Sequence, residues 1–394
     1  MSDALQFYFM SFLPYTELPP GHEKYDSLWV EYPNTNYDPV KGKALYERYL
    51  DEFVLADRLG FDGLVVNEHH STVYSMMAAP NLIASALIQR TQNAKICIWG
   101  VPPNLEFPNR LAEEYAMLDV MSGGRIEVAF PLGTGMEYWS HPIRPVDARA
   151  RNNESIEIIL KAWTEPGPIS HEGRFFTYKY LNVWPRPYQK PHPKLYIVGS
   201  GSPESMDFAA RLGVGYAVAF TPQKRQIEIN DEVRRLGKQY GNTIRNDQFP
   251  IGCMVYVADT DEEAEAEFKE HVRWFFENNL RTTARYLAPP GYMSVDKVRR
   301  SLQFQAQVHG AFDWDFMTAN FRIGAGSPET IAKKIFKWSR ETGAGVINFQ
   351  AHLGNLPHWK TVKSLTLIAN EVIPRVREME AAERKKSKKR KRAA

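Results

Sequence analysis

Glu68-His69-His70 is the densest chemistry in this chain, a carboxylate and two imidazoles directly after the apolar run Leu64-Val65-Val66. Imidazole titrates near neutral pH, so this cluster can take up and release protons. With His352 the same residues offer a ligand set for a metal. Three titratable groups at the end of a buried strand cost desolvation energy unless hydrogen bonds or a ligand satisfy them. A hydrogen-bonded cluster without chemistry is the competing reading. A second stretch, Gly199-Ser200-Gly201-Ser202-Pro203, joins a strand-like run to a helix-like one. Such a turn aims backbone N–H groups and a helix dipole at an anion, typically phosphate. A plain serine–proline helix cap has the same look, and Ser327-Pro328 repeats it elsewhere. The dinucleotide pattern Gly-x-Gly-x-x-Gly fails because position 204 is Glu, and no Gly-x-Ser-x-Gly nucleophile elbow occurs. Metal-dependent barrel hydrolases carry His-x-His on the first strand, where this chain has no histidine, so no metal is expected.

These residues need elements to hold them. Strand-like runs are predicted at 5–12, 64–66, 95–101, 125–130, 194–198, about 214–220, 251–257 and 346–350. Between them lie helix-like runs at 43–59, 79–90, 108–121, 147–163, 203–212, about 222–240, 328–342 and 358–381, with a long helical excursion from 261 to 322. Eight strands alternating with helices favour an α/β fold of the (β/α)8 TIM-barrel type over a doubly wound sheet. Leu64-Val65-Val66 then reads as a strand buried on both faces. In a barrel the carboxyl ends of all strands share one rim, where chemistry collects. That rim would gather Ser11, Glu68-His69-His70, Asn104, Gly133 to Tyr138, Ser200-Gly201-Ser202 and Gln350-Ala351-His352. The whole of 1–382 is expected to be one domain with insertions at about 14–41, 131–147, 166–193 and 259–322. Three of these leave from strand ends and would cover the same mouth. The aromatics of 14–41, Trp29 and Tyr32 among them, suggest an ordered lid over an apolar substrate. A small hairpin is predicted around His171 to Phe176.

Composition narrows the classes. Of the 394 residues, eight basic ones crowd into 384–394 with no acid; setting them aside turns the net charge of the rest from +3 to −5. A body of that sign lacks the basic face of a nucleic-acid enzyme, so no nucleic-acid partner is expected. The basic stretch 383–394 reads as a solvated, disordered tail. No run approaches ~18 consecutive apolar residues, so no membrane span is expected. The amino-terminal residues lack a basic region followed by an apolar one, which points away from a signal peptide. Cys97 and Cys253 both sit in apolar runs and read as buried free thiols, in keeping with a cytoplasmic location.

Four blocks give the chain a family resemblance. They are Ala56-Asp57-Arg58-Leu59-Gly60-Phe61-Asp62-Gly63 through Glu68-His69-His70, and Phe107-Pro108-Asn109-Arg110-Leu111-Ala112-Glu113-Glu114-Tyr115 through Leu118 to Arg125. The third runs from Trp184-Pro185-Arg186-Pro187-Tyr188 through Pro193 into Val198-Gly199-Ser200-Gly201-Ser202, and the fourth is Gly326-Ser327-Pro328-Glu329-Thr330. In this order, over about 4–378, the chain resembles the bacterial luciferase-like, flavin-dependent monooxygenases. The resemblance implies a barrel binding reduced FMN, or alternatively a deazaflavin, with the flavin phosphate near Ser200, Gly201 and Ser202. It implies His69 as the catalytic proton-transfer group and Asn104 at the reacting edge of the flavin. Glu68, His70, Arg125, Gly133 and Tyr138 are the further cofactor-binding expectations; Arg110 and Arg125 match flavin-associated arginines, with a structural role equally open. Relatives often show Gly-Arg-Gly after strand four, whereas this chain has Phe130-Pro131-Leu132-Gly133. The implied activity is oxygenation of a small apolar organic molecule through a flavin hydroperoxide, with dioxygen as co-substrate and reduced flavin from a separate reductase. A homodimer is implied as well. A deazaflavin-dependent hydride transfer and a flavin-binding protein without turnover are the alternatives.

Overall fold

Residues of opposite character alternate along the strands, and that alternation builds the molecule from the inside out. Phe7, Phe9, Leu64, Val66, Ile96, Ile98, Ile126 and Val128 point outward into the main core beneath the helices. Tyr8, Met10, Val65, Cys97, Tyr196 and Met254 point inward. The computed structural model describes residues 4–219, 221–295, 298–299, 302, 312–320 and 322–393.

The sheet strands are β1 (Gln6–Met10), β2 (Gly63–Val66), β3 (Lys95–Trp99), β4 (Ile126–Phe130), β7 (Lys194–Val198), β8 (Gly215–Ala217), β9 (Pro250–Val257), β10 (Ile323–Gly326) and β11 (Val346–Gln350). They form one sheet in the order β10-β9-β11-β1-β2-β3-β4-β7-β8, each recorded pairing parallel. β8 lies against β9 on the far side, which rounds the sheet into an α/β fold of TIM-barrel type. The predicted hairpin is present as β5 (Ile169–Glu172) against β6 (Thr177–Leu181), antiparallel and outside the barrel.

β10 was not foreseen. Val346–Gln350 pairs with Pro250–Met254, whereas Ile323–Gly326 takes up Met254–Val257 along the other edge of β9. Its sequence, Ile-Gly-Ala-Gly, carries almost no strand signal; pairing supplied by a long neighbour decides it.

Helices α1 (Pro39–Arg58), α2 (Pro80–Arg90), α3 (Pro108–Met121), α4 (Ala148–Thr164), α5 (Pro203–Leu212) and α6 (Gln223–Gln239) fall within a few residues of expectation. The excursion after β9 includes α7 (Asp261–Trp274) and α8 (Ala284–Leu287); much of 296–311 lies outside the described residues. The last helix runs Ile373–Ala393 and carries the basic run expected as a loose tail; Lys and Arg are good helix formers and can extend a helix that packing has already started. Cys97 and Cys253 are free and buried. No helix among the described residues is long and apolar enough to cross a membrane.

Two devices set the rims apart. At the amino ends, Asp57 accepts the backbone N–H groups of Gln92, Asn93 and Ala94 at 3.0, 3.0 and 2.7 Å, and Asp62 accepts that of Phe7 at 2.8 Å. Inside the barrel Glu127 accepts Tyr8 Oη at 3.0 Å and Tyr196 Oη at 3.2 Å, with the Cys97 thiol at 3.6 Å. Gly63 pairs beside Tyr8, whose ring would lie 2.8 Å from any Cβ there, so only glycine fits. This polar plug closes the barrel below the carboxyl-end rim.

Candidate active site

The rim surrounds a cavity of about 500 Å³. Three excursions wall it, as their positions suggested. Trp29 comes from 14–41, Leu132 to Glu137 from the segment after β4, and Leu280, Leu287 and Tyr292 from the segment after β9. They are also bonded to one another. Trp29 Nε1 donates to the Asn279 carbonyl at 2.7 Å, the Leu28 N–H to that of Arg281 at 2.9 Å, and Tyr292 Oη to that of Gly133 at 2.5 Å. Tyr286 Oη also bonds the Glu31 carboxylate. Indole and phenol rings thereby give this side of the cavity an apolar wall with its polar tips hydrogen-bonded.

His69 stands on this wall, and its protonation geometry is set from behind. Its Nδ1 lies 2.9 Å from Glu137 Oε1. Glu137, almost fully buried, sits on the short turn Gly135–Trp139 and accepts the Thr134 N–H at 2.5 Å with its other oxygen. Gly133 allows this: φ is +83°, and a Cβ there would lie 2.9 Å from Glu137 Oε2. With the carboxylate as acceptor, Nδ1 carries the hydrogen of this contact and Nε2 is the ring nitrogen that Glu137 does not engage. Trp29 and Tyr74 hold the ring edge-on, at centroid distances of 5.4 and 4.8 Å. Burial keeps the Tyr74 phenol well above its ordinary pKa, so it stays a hydrogen-bond donor.

Glu68 and His70 form the layer behind, 3.0 Å apart between Oε1 and Nε2. Burial pushes the Glu68 carboxyl up to about 7 against the pull of His70. Burial pulls His70 down, but the bond and charge of Glu68 outweigh it and the net direction is up. Both shifts favour the protonated forms. Glu68 reaches the cavity lining; His70 turns away onto the ring of His141, 4.6 Å between centroids.

Across the cavity lies the turn between β7 and α5. Gly199, Ser200, Ser202 and Ser205 line it, with Thr221 and Arg149 nearby on the same wall. Ser202 caps α5 by accepting the Ser205 N–H. The Tyr216 hydroxyl takes the Gly201 N–H at 3.1 Å and pairs with Ser205 Oγ at 2.7 Å. Gly201 itself faces Ile229 and Arg225 rather than the cavity. Arg149 makes no ion pair with a described carboxylate. The Arg149 guanidinium, unpaired among the described residues, together with the Ser200 hydroxyl and the start of α5 makes a phosphate-type pocket.

Several expected residues stand elsewhere. Asn104 lies behind the wall, where its Nδ2 donates to Tyr138 Oη at 2.7 Å and its carbonyl accepts Arg151 Nε at 2.8 Å. Trp99, Gly100 and Pro102 face the cavity instead, because the chain has turned by the time it reaches position 104. Tyr138 donates to the Leu132 carbonyl and braces the same wall from outside. Arg125 is at the opposite rim, bonded to Thr91 Oγ1 and the Ala94 carbonyl at 3.0 Å each; it precedes β4, and a strand's amino end cannot reach the carboxyl-end mouth. Arg110 is exposed on α3 and pairs with Glu114. His352 is fully buried against Glu52, and among the described residues no group of three His, Cys, Asp or Glu side chains could hold a metal.

The lining also contains residues that composition did not single out. Among the described residues, buried Asn67 Oδ1, Trp99 Nε1 and Asn348 Oδ1 have no partner, and all three residues line the cavity. Strand alternation could have placed Trp99 and Asn348 inward; nothing local marked Glu137, Arg149 or Arg322. Orphaned donors and acceptors on an apolar wall are what a planar heterocycle with ring carbonyl and N–H groups would satisfy. The residues present therefore fit a flavin.

Among proteins of known description, the oxygenase component of the flavin-dependent trigonelline monooxygenase of Acinetobacter baylyi is 27% identical over 250 residues. The match covers 59% of this chain and 65% of that one. The chain spans between half and two thirds of the length of the first curated relatives it matches. In fold it resembles the oxygenating constituent of 3,6-diketocamphane monooxygenase from Pseudomonas putida, solved with FMN (TM-score 0.73, 22% identity, 95% and 99% of the two chains). It also resembles an F420-dependent secondary alcohol dehydrogenase (TM-score 0.67, 17% identity, 95% and 99%). The family model described as luciferase-like monooxygenase matches residues 32–345, most of the chain and every cavity-lining residue except Met10, Phe12, Trp29, Asn348 and Gln350, and the chain belongs to that family.

Proposed function

We propose that this chain is the oxygenase of a two-component system, using reduced FMN and dioxygen to oxygenate a small organic substrate. The observation that carries it is the His69–Glu137 dyad, in which Glu137 leaves Nε2 unengaged on the wall of a cavity, opposite a phosphate-type turn. When bound, reduced flavin supplies the electrons that activate dioxygen. The chain's own residues do the rest. Arg149 and the Ser200–Ser202 turn hold the phosphate, and Trp99, Asn67 and Asn348 offer the ring its hydrogen bonds. Trp29 and the neighbouring segments keep water out, which protects reactive species from wasteful decay. His69 Nε2 takes or returns the proton while Glu137 keeps Nδ1 protonated and the ring oriented. A separate reductase is part of the proposal, supported by the name of the relative described as an oxygenase component.

The fold is shared with an F420-dependent enzyme, so the deazaflavin alternative is tested in the same experiment. Anaerobic titrations with reduced FMN and with reduced deazaflavin should show saturable binding of FMN, and admitting dioxygen should then reoxidise the bound flavin through a spectrally distinct species. Binding of deazaflavin alone would sink the oxygenase reading. Binding of FMN with the reoxidation kinetics of free flavin would favour a protein without turnover.

A second copy of the chain is proposed to cover α2 and α3. Leu82, Phe107, Met117, Val120 and Met121 are exposed together there, beside a cleft of about 570 Å³. Five large apolar side chains on one face exceed the scatter normal for a monomer's surface. Light scattering after size exclusion should give a dimer, and Leu82→Glu with Met117→Glu should give a folded monomer. A monomeric wild-type protein removes the proposal.

A further inference from the structure

Arg322 stands where a cation is costly. It precedes β10, is 5% exposed, and reaches the cavity wall between β8 and β9. Nε donates to the Gly252 carbonyl at 3.0 Å and Nη2 to Gln226 Oε1 at 2.8 Å, while the Cys253 thiol lies alongside. All three partners are neutral. Among the described residues Nη1 is buried without a partner, and no carboxylate pairs with the group. A guanidinium does not shed its proton in a protein, so its charge persists in the fold. Buried charges are ordinarily paired, and an unpaired one calls for a counter-charge from somewhere.

A structural role explains only part of this. The Nε and Nη2 bonds tie β9 and α6 to the run into β10 and secure the seam of the barrel. A neutral donor would serve that purpose as well. The free Nη1 and the uncompensated charge remain, and both belong to a residue lining the cavity. The phosphate-type pocket already has its own cation in Arg149 and its own donors in the serine turn. The other walls mix apolar Met10, Phe12, Trp29 and Met254 with polar Asn67, Asn348 and Gln350, and none of these carries a positive charge.

We propose that Arg322 anchors an anionic group of the organic substrate, a carboxylate, so that the enzyme acts on small apolar or aromatic acids. This deepens the oxygenase reading above and rests on it for the flavin as the other occupant. The unpartnered Nη1 offers a charge-assisted contact to one carboxylate oxygen, and a low-dielectric wall strengthens it. Neutral analogues would leave the charge buried and unpaired, which is the basis of strong discrimination.

The test is anaerobic calorimetry on the full chain saturated with reduced FMN, using benzoate and phenylacetate against benzamide and phenylacetamide. Each acid is expected to bind about tenfold or more tightly than its amide, the value of a charge-assisted hydrogen bond. Arg322→Met should erase the preference and Arg322→Lys should keep most of it, with reduced FMN held as in the wild type. If Arg322→Met does not fold, as judged by circular dichroism, Arg322→Gln takes its place in the comparison. Equal binding of acid and amide, no binding of either acid, or a preference that survives loss of the charge overturns the proposal. So does a preference lost together with FMN affinity, which would assign Arg322 to the flavin. Failure of the oxygenase reading shows separately, as absence of FMN binding before any acid is added; the acid-over-amide comparison is then repeated with reduced deazaflavin.

Discussion

In His69→Ala, turnover is expected to fall by about 10²–10⁴-fold, the usual cost of losing a positioned acid–base group. Fold and affinity for reduced FMN should persist, because His69 is partly exposed to the cavity and its backbone is held by the Met77 carbonyl rather than by the ring. Rapid-mixing kinetics with preloaded reduced FMN separates the chemical step from binding. Glu137→Ala should reproduce much of the loss without touching the reacting atoms, since the freed ring can then rotate or change tautomer. Full turnover in His69→Ala would take the residue out of the mechanism. A loss of FMN affinity equal to the loss of turnover would make it a binding residue.

Glu52→Leu is expected to cost about 3–5 kcal/mol of stability, because it strands the partners of a buried ionic cluster. Glu52 is wholly buried on α1. It accepts His352 Nδ1 at 2.7 Å, His358 Nδ1 at 2.8 Å and Arg48 Nε at 3.0 Å. Burial works to raise its pKa, but His352, His358 and Arg48 overcome that and hold the carboxyl at about 2 rather than 4.5. A depressed carboxylate contributes stability above its unfolded pKa and loses it as the pH falls toward the folded value. Here the contribution is about 3 kcal/mol at neutral pH, fading between about pH 5 and 2. Urea unfolding across that window should show a steep loss in the wild type and a flatter one in the variant. Parallel curves would mean that the cluster is not what ties α1 to the segment after β11. That tie has a functional side, since Gln350, the last residue of β11 and two before His352, lines the cavity.

Residues inside regular elements were legible from sequence because their signals are local. Strand β2 could be read from Leu64-Val65-Val66 and its stop at Glu68, and α3 from its apolar stripe and the Ser122-Gly123-Gly124 end. The blocks that carried the family resemblance turn out to be largely architectural. Asp57, Asp62 and Asp119 in them bind backbone N–H groups or Gln189, at 2.7–3.0 Å, and fix loops at the amino rim. Arg125 belongs with these, which is why reading it as a flavin contact failed.

The sequence by itself determined the alternation of strands and helices, the barrel-type closure it implies, the rim on which Glu68, His69 and Ser200 meet, and the three covering segments. These follow from hydrophobic period, caps and strand polarity, properties of short stretches. Only the tertiary structure decided the partners. Glu137 meets His69 across 68 residues, Trp29 meets Asn279 across 250, and the rim histidine His352 is drawn back to Glu52 across 300. Whether a polar side chain faces the cavity or its outer wall depends on the turn taken within one or two residues after a strand. That turn is set by packing between distant segments, so Asn104 stands behind the wall rather than on the rim where the sequence suggested it, and Arg322 acquired its buried charge unannounced.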